Sequence, residues 1–361
     1  MEIIEQSPKR SQPLCKHYVD CGGCSFQHMD YESQLQEKSA TTAETISRLA
    51  GIVLDNIYEG IVKSPVRFMY RNKMEFSVLG NIEFSPALHR RCRFDNFVAT
   101  PYCLLPLPEI MELTKTIYER FTKLKLDLGF LPIYIVALRE SFATKEIIVN
   151  IVVNKNEIDK MGADYSLIED KIRGVVFENL SGLRNLASGW VTYGRGSSAE
   201  GEPHLLWGNE TIVESFCGKR FLVGPASFLQ VNPYMAEILY RTISEFVGET
   251  KVRRLLDLYS GLGVIGIILS AQVDEVVCVE SNEESVKLGQ KSALLNGCKN
   301  VKFICDDVYR ALSGSMARNE HFDIVVVDPP RMGIAKKALE KIIKLQPTKI
   351  IYISCNPSTM A

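Results

Sequence analysis

A chain of 361 residues exceeds the size at which one hydrophobic core keeps growing, so at least two domains are expected. Hydrophobic residues at 46% and charged residues at 24% are ordinary for a soluble globular protein, no apolar run approaches bilayer length, and the polar start MEIIEQSPKR lacks a signal-peptide core; a cytoplasmic protein is expected. The net charge of −1 excludes a globally basic nucleic-acid binder, and ten cysteines in a reducing compartment are expected to be reduced, metal-bound or catalytic instead of paired in disulfides.

Residues up to Pro13 read as a flexible lead-in, after which cysteines cluster from Cys15 to Cys24. The segment 31–50, YESQLQEKSATTAETISRLA, is rich in helix formers without Gly or Pro and predicts a helix ending near Gly51. From Pro65 to about Tyr240 the runs MEFSVLG, PIYIVAL, EIIVNIVV, TIVESF and RFLVG recur between turn residues, predicting a mostly antiparallel sheet domain with some helix. Near residue 245 the texture changes. RRLLDLY, EVVCVE, VKFIC, DIVVVD and KIIYIS now alternate with helical segments, as in βαβ units with a parallel sheet. No internal repeat or low-complexity tract interrupts this order.

LLDLYSGLGVIG places Gly261, Gly263 and Gly266 between an apolar strand and a helix, matching G-x-G-x-x-G. Glycine lets the backbone turn sharply against a ligand, and the helix N-terminus offers free N–H groups. Glu280 ends the next strand, where a carboxylate binds ribose hydroxyls. The pattern serves a nicotinamide dinucleotide and S-adenosylmethionine equally.

DIVVVDPPRMG then ends a strand in Asp328-Pro329-Pro330-Arg331. Two prolines cannot extend a ladder, so the chain leaves the sheet at its carboxyl edge, where open α/β sheets bind ligands, and Asp328 is aimed at the cleft. In IIYISCNPSTMA, Cys355 ends the following strand and Asn356-Pro357 forces a turn. That places the thiol at the rim, as a candidate nucleophile; the plain alternative is a small buried hydrophobe.

Read together, these residues resemble the S-adenosylmethionine-dependent RNA uracil-C5 methyltransferases, which make 5-methyluridine in tRNA or rRNA. YRNKMEFS (70–77), SFLQVN (227–232), DLYSGLG, VES, DPPRMG and SCNPST stand in family order over nearly the whole chain. The resemblance implies an α/β fold: a Rossmann-like class I methyltransferase domain plus a mostly antiparallel α+β central domain with an iron–sulfur loop. The divisions expected are a cysteine segment (1–30) joined to the central domain, a helix (31–58) packing on the methyltransferase domain, a central RNA-facing domain (59–242) and the methyltransferase domain (243–361). It further implies Cys355 as nucleophile and Gln230, Tyr259, Gly261, Glu280, Asp307 and Asp328 as residues around S-adenosylmethionine; adjacent Asp306 competes with Asp307. The family's catalytic base lies C-terminal to S-C-N-P and has no counterpart before Ala361, so the methyltransferase domain is expected to be truncated, with the Cys355 strand left as an apolar edge. The small N-terminal RNA-binding barrel of many relatives is not expected ahead of the cysteine segment.

C-x5-C-x2-C (Cys15, Cys21, Cys24) with a distant fourth cysteine suits either an iron–sulfur cluster or zinc. The resemblance implies [4Fe-4S], with Cys103 as fourth ligand over nearby Cys92. Between residues 63 and 93 seven basic residues (Lys63, Arg67, Arg71, Lys73, Arg90, Arg91, Arg93) face two acids (Glu75, Glu83). That stretch is read as an RNA-contacting surface, with Phe68, Tyr70, Phe76 and Phe84 interleaved for stacking or for the core. His17, His28, His89, His204 and His321 form no metal-ligand spacing and receive no role. The partner expected is a structured RNA presenting a flipped or loop uridine to a monomeric enzyme. The alternatives are an NAD-dependent oxidoreductase with a cysteine nucleophile and a catalytically incomplete RNA-binding iron–sulfur protein.

Overall fold

The computed structural model describes residues 5–54, 56–178, 180, 185–194, 201–248 and 252–361. Helix α1 (Tyr31–Ala50) stops at Gly51, whose φ of +67° is the left-handed geometry that ends helices. Two compact units follow from the contacts: residues up to Leu35 with 65–212 and 224–226, and residues 36–64 with 213–223 and 227–361. The boundary expected at 242/243 therefore falls earlier.

The first unit is built on a seven-stranded sheet. Its elements are β1 (Lys73–Leu79), β2 (Ser85–Arg90), β3 (Arg93–Ala99), α2 (Pro108–Leu128), β4 (Ile133–Glu140), β5 (Ile147–Asn154), α3 (Lys155–Met161), α4 (Tyr165–Lys171), a π-helical turn (Ile172–Phe177), β6 (Leu186–Gly194) and β7 (Pro203–Gly208). The strands lie in the order β3-β2-β1-β4-β5-β6-β7, antiparallel throughout except for β5–β6, which α3 and α4 connect as a crossover. Ile110, Leu113, Ile117, Phe121 and Leu124 recur at helical spacing along α2 and pack with Phe76, Val136, Leu138, Val149 and Ile151, the alternate strand positions of one sheet face. The Tyr118 hydroxyl, buried in that core, donates to the carbonyls of Phe76 and Ser77 at 3.1 Å each.

The second unit contains β8 (Ile212–Phe216) from Val213 onward, β9 (Lys219–Val223), α5 (Pro233–Val247), β10 (Val252–Leu258), α6 (Val264–Leu269), β11 (Val273–Glu280), α7 (Glu283–Leu295), β12 (Val301–Cys305), α8 (Val308–Ala317), β13 (Ile324–Val327), α9 (Lys336–Lys344), β14 (Lys349–Tyr352) and α10 (Pro357–Met360). Five strands form a wholly parallel sheet ordered β12-β11-β10-β13-β14. Helices cover both faces of such a sheet, which is why its strands read as continuous apolar runs in place of alternation. Leu255, Leu256 and Leu258, with Val325, Val326 and Val327, are all buried. The winding reverses between β10 and β13, and ligands bind outside the carboxyl ends of strands at such a switch point. Among the described residues, no helix is long and apolar enough to cross a membrane.

Candidate active site

Because all five strands run the same way, the residues that follow them share one edge. In spatial order these are Asp306-Asp307 after β12, Glu280 at the end of β11, Tyr259 to Gly263 after β10, Asp328 after β13 and Cys355 after β14. Neighbouring strands lie about 4.8 Å apart. The glycine turn and Cys355 are two strands apart, roughly 10 Å, the span of a small donor group and a planar base.

The glycine turn is tied from both sides. Tyr259 has φ of +59°, a left-handed conformation outside glycine, and Gly261 and Gly263 follow at +55° and +70°. A Cβ on Gly263 would lie 2.5 Å from the Phe303 ring, and one on Gly266 would lie 2.5 Å from Cys278 Sγ, so packing forbids larger residues. The Gly261 N–H donates to Glu280 Oε2 at 3.0 Å, while Glu280 Oε1 accepts from the Asn282 N–H at 2.8 Å. Oε1 also accepts from Ser281 Oγ at 3.2 Å, so it is Oε2 that retains a further lone pair for a ligand hydroxyl.

Asp307 caps α8, accepting from the N–H groups of Tyr309 (2.9 Å) and Arg310 (3.3 Å). Asp306 pairs instead with Arg310 Nε at 2.7 Å. Burial, then the charge of Asp307, raises the Tyr259 phenol above its ordinary value, so of the two acids Asp307 is the one felt at the turn. Gln230 is half-buried in the segment leading to α5, whose cap is Asn232.

Beneath the edge lies an acidic pair of which the sequence reading used only one member. Asp257 is fully buried, its Oδ2 accepting from the Gly266 N–H at 3.0 Å, while Oδ1 has no partner among the described residues. Burial, with the neighbouring charge of Asp328, pushes its carboxyl up to about 7. Burial raises Asp328 to about 6. Buried Tyr240 of α5 faces the same pair, and desolvation, then the Asp328 charge, raises its phenol strongly. Nothing in the G-x-G-x-x-G pattern flagged Asp257 or Tyr240; an acid two residues before the tyrosine of DLYSG was the available signal for the former.

Cys355 is exposed. Ile353 N–H bonds to Val327 O at 2.9 Å, so the strand pairing ends two residues earlier. Asn356 then caps α10, accepting from the Ser358 N–H at 3.1 Å, and Ser354 Oγ donates to Asn356 O at 2.9 Å. The thiol thus sits on a turn held on both sides by hydrogen bonds, and the chain just after it meets the segment after β13: a Cβ on Gly333 would lie 3.2 Å from Thr359.

In the first unit, Cys15, Cys21, Cys24 and Cys103 line one small cavity with His17, Tyr18 and Leu105. Burial raises the Cys103 thiol to about 11, and the other cysteines add to it. Cys92 is exposed on the β2–β3 turn and does not line this cavity. Among the described residues, no group of three or more His, Cys, Asp or Glu side chains is arranged to hold a metal ion, so the shared cavity does not by itself show the expected cluster.

The basic stretch divides. Arg91 is a clamp on the cysteine loop: Nη2 donates to the carbonyls of Cys24 (2.7 Å), Tyr18 (2.8 Å) and Cys21 (3.4 Å), and its guanidinium lies 4.7 Å over the Tyr18 ring. Arg90 pairs with Asp20 at 2.8 Å and Lys73 with Glu75 at 2.7 Å. Of the interleaved aromatics, Phe76 is fully buried, Tyr70 packs against the core, and Phe84 meets Phe121 edge-on at 6.2 Å; these three belong to the core and not to an exposed stacking surface.

Residues 219–361 match the tRNA (Uracil-5-)-methyltransferase family model. An uncharacterized RNA methyltransferase of Caldanaerobacter subterraneus is 32% identical over the whole chain and 79% of its own length. A tRNA (uracil(54)-C(5))-methyltransferase of Pyrococcus horikoshii is also 32% identical, over the whole chain and 80% of its length. The crystal structure of the Pyrococcus abyssi tRNA (uracil-54, C5)-methyltransferase, in complex with S-adenosyl-L-homocysteine, shares the fold with a TM-score of 0.70 at 23% identity, over 99% of this chain and 80% of that one. With its class I methyltransferase sheet, glycine turn and strand-end cysteine, this chain belongs to the tRNA (uracil-5-)-methyltransferase family.

Proposed function

We propose that the chain transfers a methyl group from S-adenosylmethionine to C5 of a uridine in RNA, through a covalent adduct between Cys355 and C6 of the base. The observation that carries this reading is the exposed Cys355 thiol on the sheet edge that also bears the glycine turn. Family membership favours a methyl donor over a nicotinamide dinucleotide at that turn.

Uracil C5 is a weak nucleophile, and covalent addition at the neighbouring carbon divides a hard step into easier ones. The Cys355 thiolate adds to C6, and the displaced electron pair passes to the C4 carbonyl as an enolate. C5 then attacks the methyl carbon of the sulfonium, which leaves as a neutral thioether. A base removes the C5 proton, the C5–C6 double bond reforms, and the thiolate is expelled. Gly261 and Glu280 hold the adenosyl end, with Glu280 on the ribose hydroxyls; Tyr259, Asp307 and Gln230 surround it. Asp328 lies beside the reacting centre, where its negative charge favours a sulfonium. The acceptor uridine is unstacked, from a loop or by flipping, before it reaches Cys355.

Cys15, Cys21, Cys24 and Cys103 fit a [4Fe-4S] cluster, since all four line one cavity beneath a loop whose carbonyls Arg91 gathers. When bound, the cluster supplies a cross-link between the N-terminal loop and the segment after β3, not a reaction step.

The test uses labelled S-adenosylmethionine and unmodified tRNA and rRNA transcripts. Label appearing in 5-methyluridine after digestion, and its loss in Cys355→Ala, are expected. No transfer to any uridine by the cluster-loaded protein refutes the reading.

A further inference from the structure

On the outer face of the first unit's sheet, away from α2, stands a group of aromatic rings that the sequence reading assigned to nothing. Strand alternation places Leu88 against the α2 core and His89 on the opposite face. His89 is in register with Phe97 across β2–β3, and their ring centroids lie 4.7 Å apart. A bulge at His89/Arg90 brings Phe94 beside the same imidazole, edge-on at 6.0 Å. His89 is exposed, and Phe94 is 86% exposed, the most exposed phenylalanine among the described residues. An 86% exposed phenylalanine that touches only another exposed ring adds little to the core.

The surroundings are those of a nucleic-acid surface. The hairpin 85–99 carries Arg90, Arg91 and Arg93 against the single acid Asp95. His89 and Phe97 also line a cleft of about 640 Å³ that runs from Ser77, Ala87 and Ile135 of the outer face round to Phe84 and Leu88, with Glu75, Glu157 and Lys125 at its walls, leaving room beside the rings for a planar group. The hairpin is fixed in place by the cysteine loop: the Gly22 N–H donates to His89 O at 2.9 Å, and Arg90 pairs with Asp20.

We infer that His89, Phe94 and Phe97 form a stacking platform for an unpaired base of the RNA substrate, separate from the uridine that is methylated. Every base has a π-face, so a platform of this kind is tolerant of sequence, and exposed Arg93, beside Phe94, supplies a phosphate contact. The cysteine loop thereby acquires a positioning role, because it anchors the backbone of His89. The inference rests on the RNA methyltransferase reading above.

The test measures binding of an unmodified tRNA transcript by the whole protein, together with steady-state methylation, in wild type, Phe94→Ala, His89→Ala and Phe94→Trp. Loss of one stacked base weakens RNA affinity by roughly 5- to 100-fold. Phe94→Ala and His89→Ala are expected to raise Kd and KM for RNA by such a factor while kcat at saturating RNA stays within about twofold. Phe94→Trp is expected to keep wild-type affinity and to lose indole fluorescence as RNA binds. Since Phe94 is exposed, its replacement leaves the melting temperature unchanged, which separates stacking from misfolding. Wild-type affinity and KM in both alanine variants of an active enzyme overturn the platform alone and leave these rings to a protein contact. A wild-type protein that neither binds nor methylates RNA removes the platform and the proposed function together.

Discussion

The carboxylate of Glu280 and the backbone N–H of Gly261 meet at 3.0 Å, joining the end of β11 to the turn after β10. The same carboxylate holds the start of the next helix through Asn282. Glu280 thus shapes the glycine turn before any ligand arrives, and the lone pair left on Oε2 is already oriented. Glu280→Gln keeps one acceptor oxygen but removes the charge shared by both contacts. A charge-assisted hydrogen bond contributes about 1.5–3 kcal/mol, so S-adenosylmethionine affinity by titration calorimetry is expected to fall roughly 10- to 100-fold. Unchanged affinity would place the ribose elsewhere.

Gly266 reports how tightly α6 lies on the sheet. Its Cβ would stand 2.5 Å from Cys278 Sγ and 3.0 Å from Val276 Cγ1. Gly266→Ala is expected to lower unfolding stability by about 1–3 kcal/mol in urea denaturation. Adding Cys278→Ala removes the closest atom and should restore part of that loss, whereas strictly additive effects would argue against the contact.

The buried Asp257 gives the fold a pH signature. Its folded-state carboxyl is raised to about 7, chiefly by burial, so the native protein holds this proton more tightly than the unfolded chain does. The associated stability is fully present below the unfolded carboxyl value, near pH 4, and is lost as pH rises through about 7. Asp257→Asn removes the titration. The variant is expected to lack this component, on the order of 3–4 kcal/mol between pH 4 and 8, in parallel urea curves. Identical pH dependence in both proteins would show that Asp257 keeps an ordinary carboxyl.

Arg91 tests the cysteine loop. Its guanidinium holds three carbonyls of residues 18–24. Arg91→Ala is expected to speed alkylation of Cys21 and Cys24 in the metal-free protein several-fold and to lower iron retained after purification. Arg91→Lys, with one charge and no planar fork, should fall between the two. Wild-type alkylation rates in Arg91→Ala would reduce the clamp to a surface contact.

Most of the methyltransferase half was legible in the residues. Continuous apolar runs gave the parallel strands, and each motif sat at a strand end, so Gly261, Glu280, Asp307, Asp328 and Cys355 fell on one edge once all strands ran parallel. Motifs that mark chain reversals are local, and local signals survive in a sequence. Asp257 was not legible because its carboxylate lies inside a strand, where only the register against α6 reveals its burial. The basic stretch was legible only in part for a related reason. Arg91 carries the charge of a phosphate contact, but its geometry serves carbonyls about seventy residues earlier in the chain. Likewise, Phe76 and Phe84 alternate with charges as a stacking surface does, and only the position of α2 assigns them to the core. His89, Phe94 and Phe97 become neighbours only through cross-strand register and a bulge.

The sulfur of Cys355 can be tested directly by capture. RNA carrying 5-fluorouridine lets the thiolate add and the methyl group transfer, but fluorine cannot leave C5 as a proton does, so elimination is blocked. Mixed with S-adenosylmethionine and this RNA, the protein is expected to give a denaturation-stable adduct whose mass includes the RNA and one methyl group, mapping to Cys355 by peptide sequencing and absent in Cys355→Ala. An adduct on another cysteine, or methyl transfer to ordinary uridine that persists in Cys355→Ala, would contradict it.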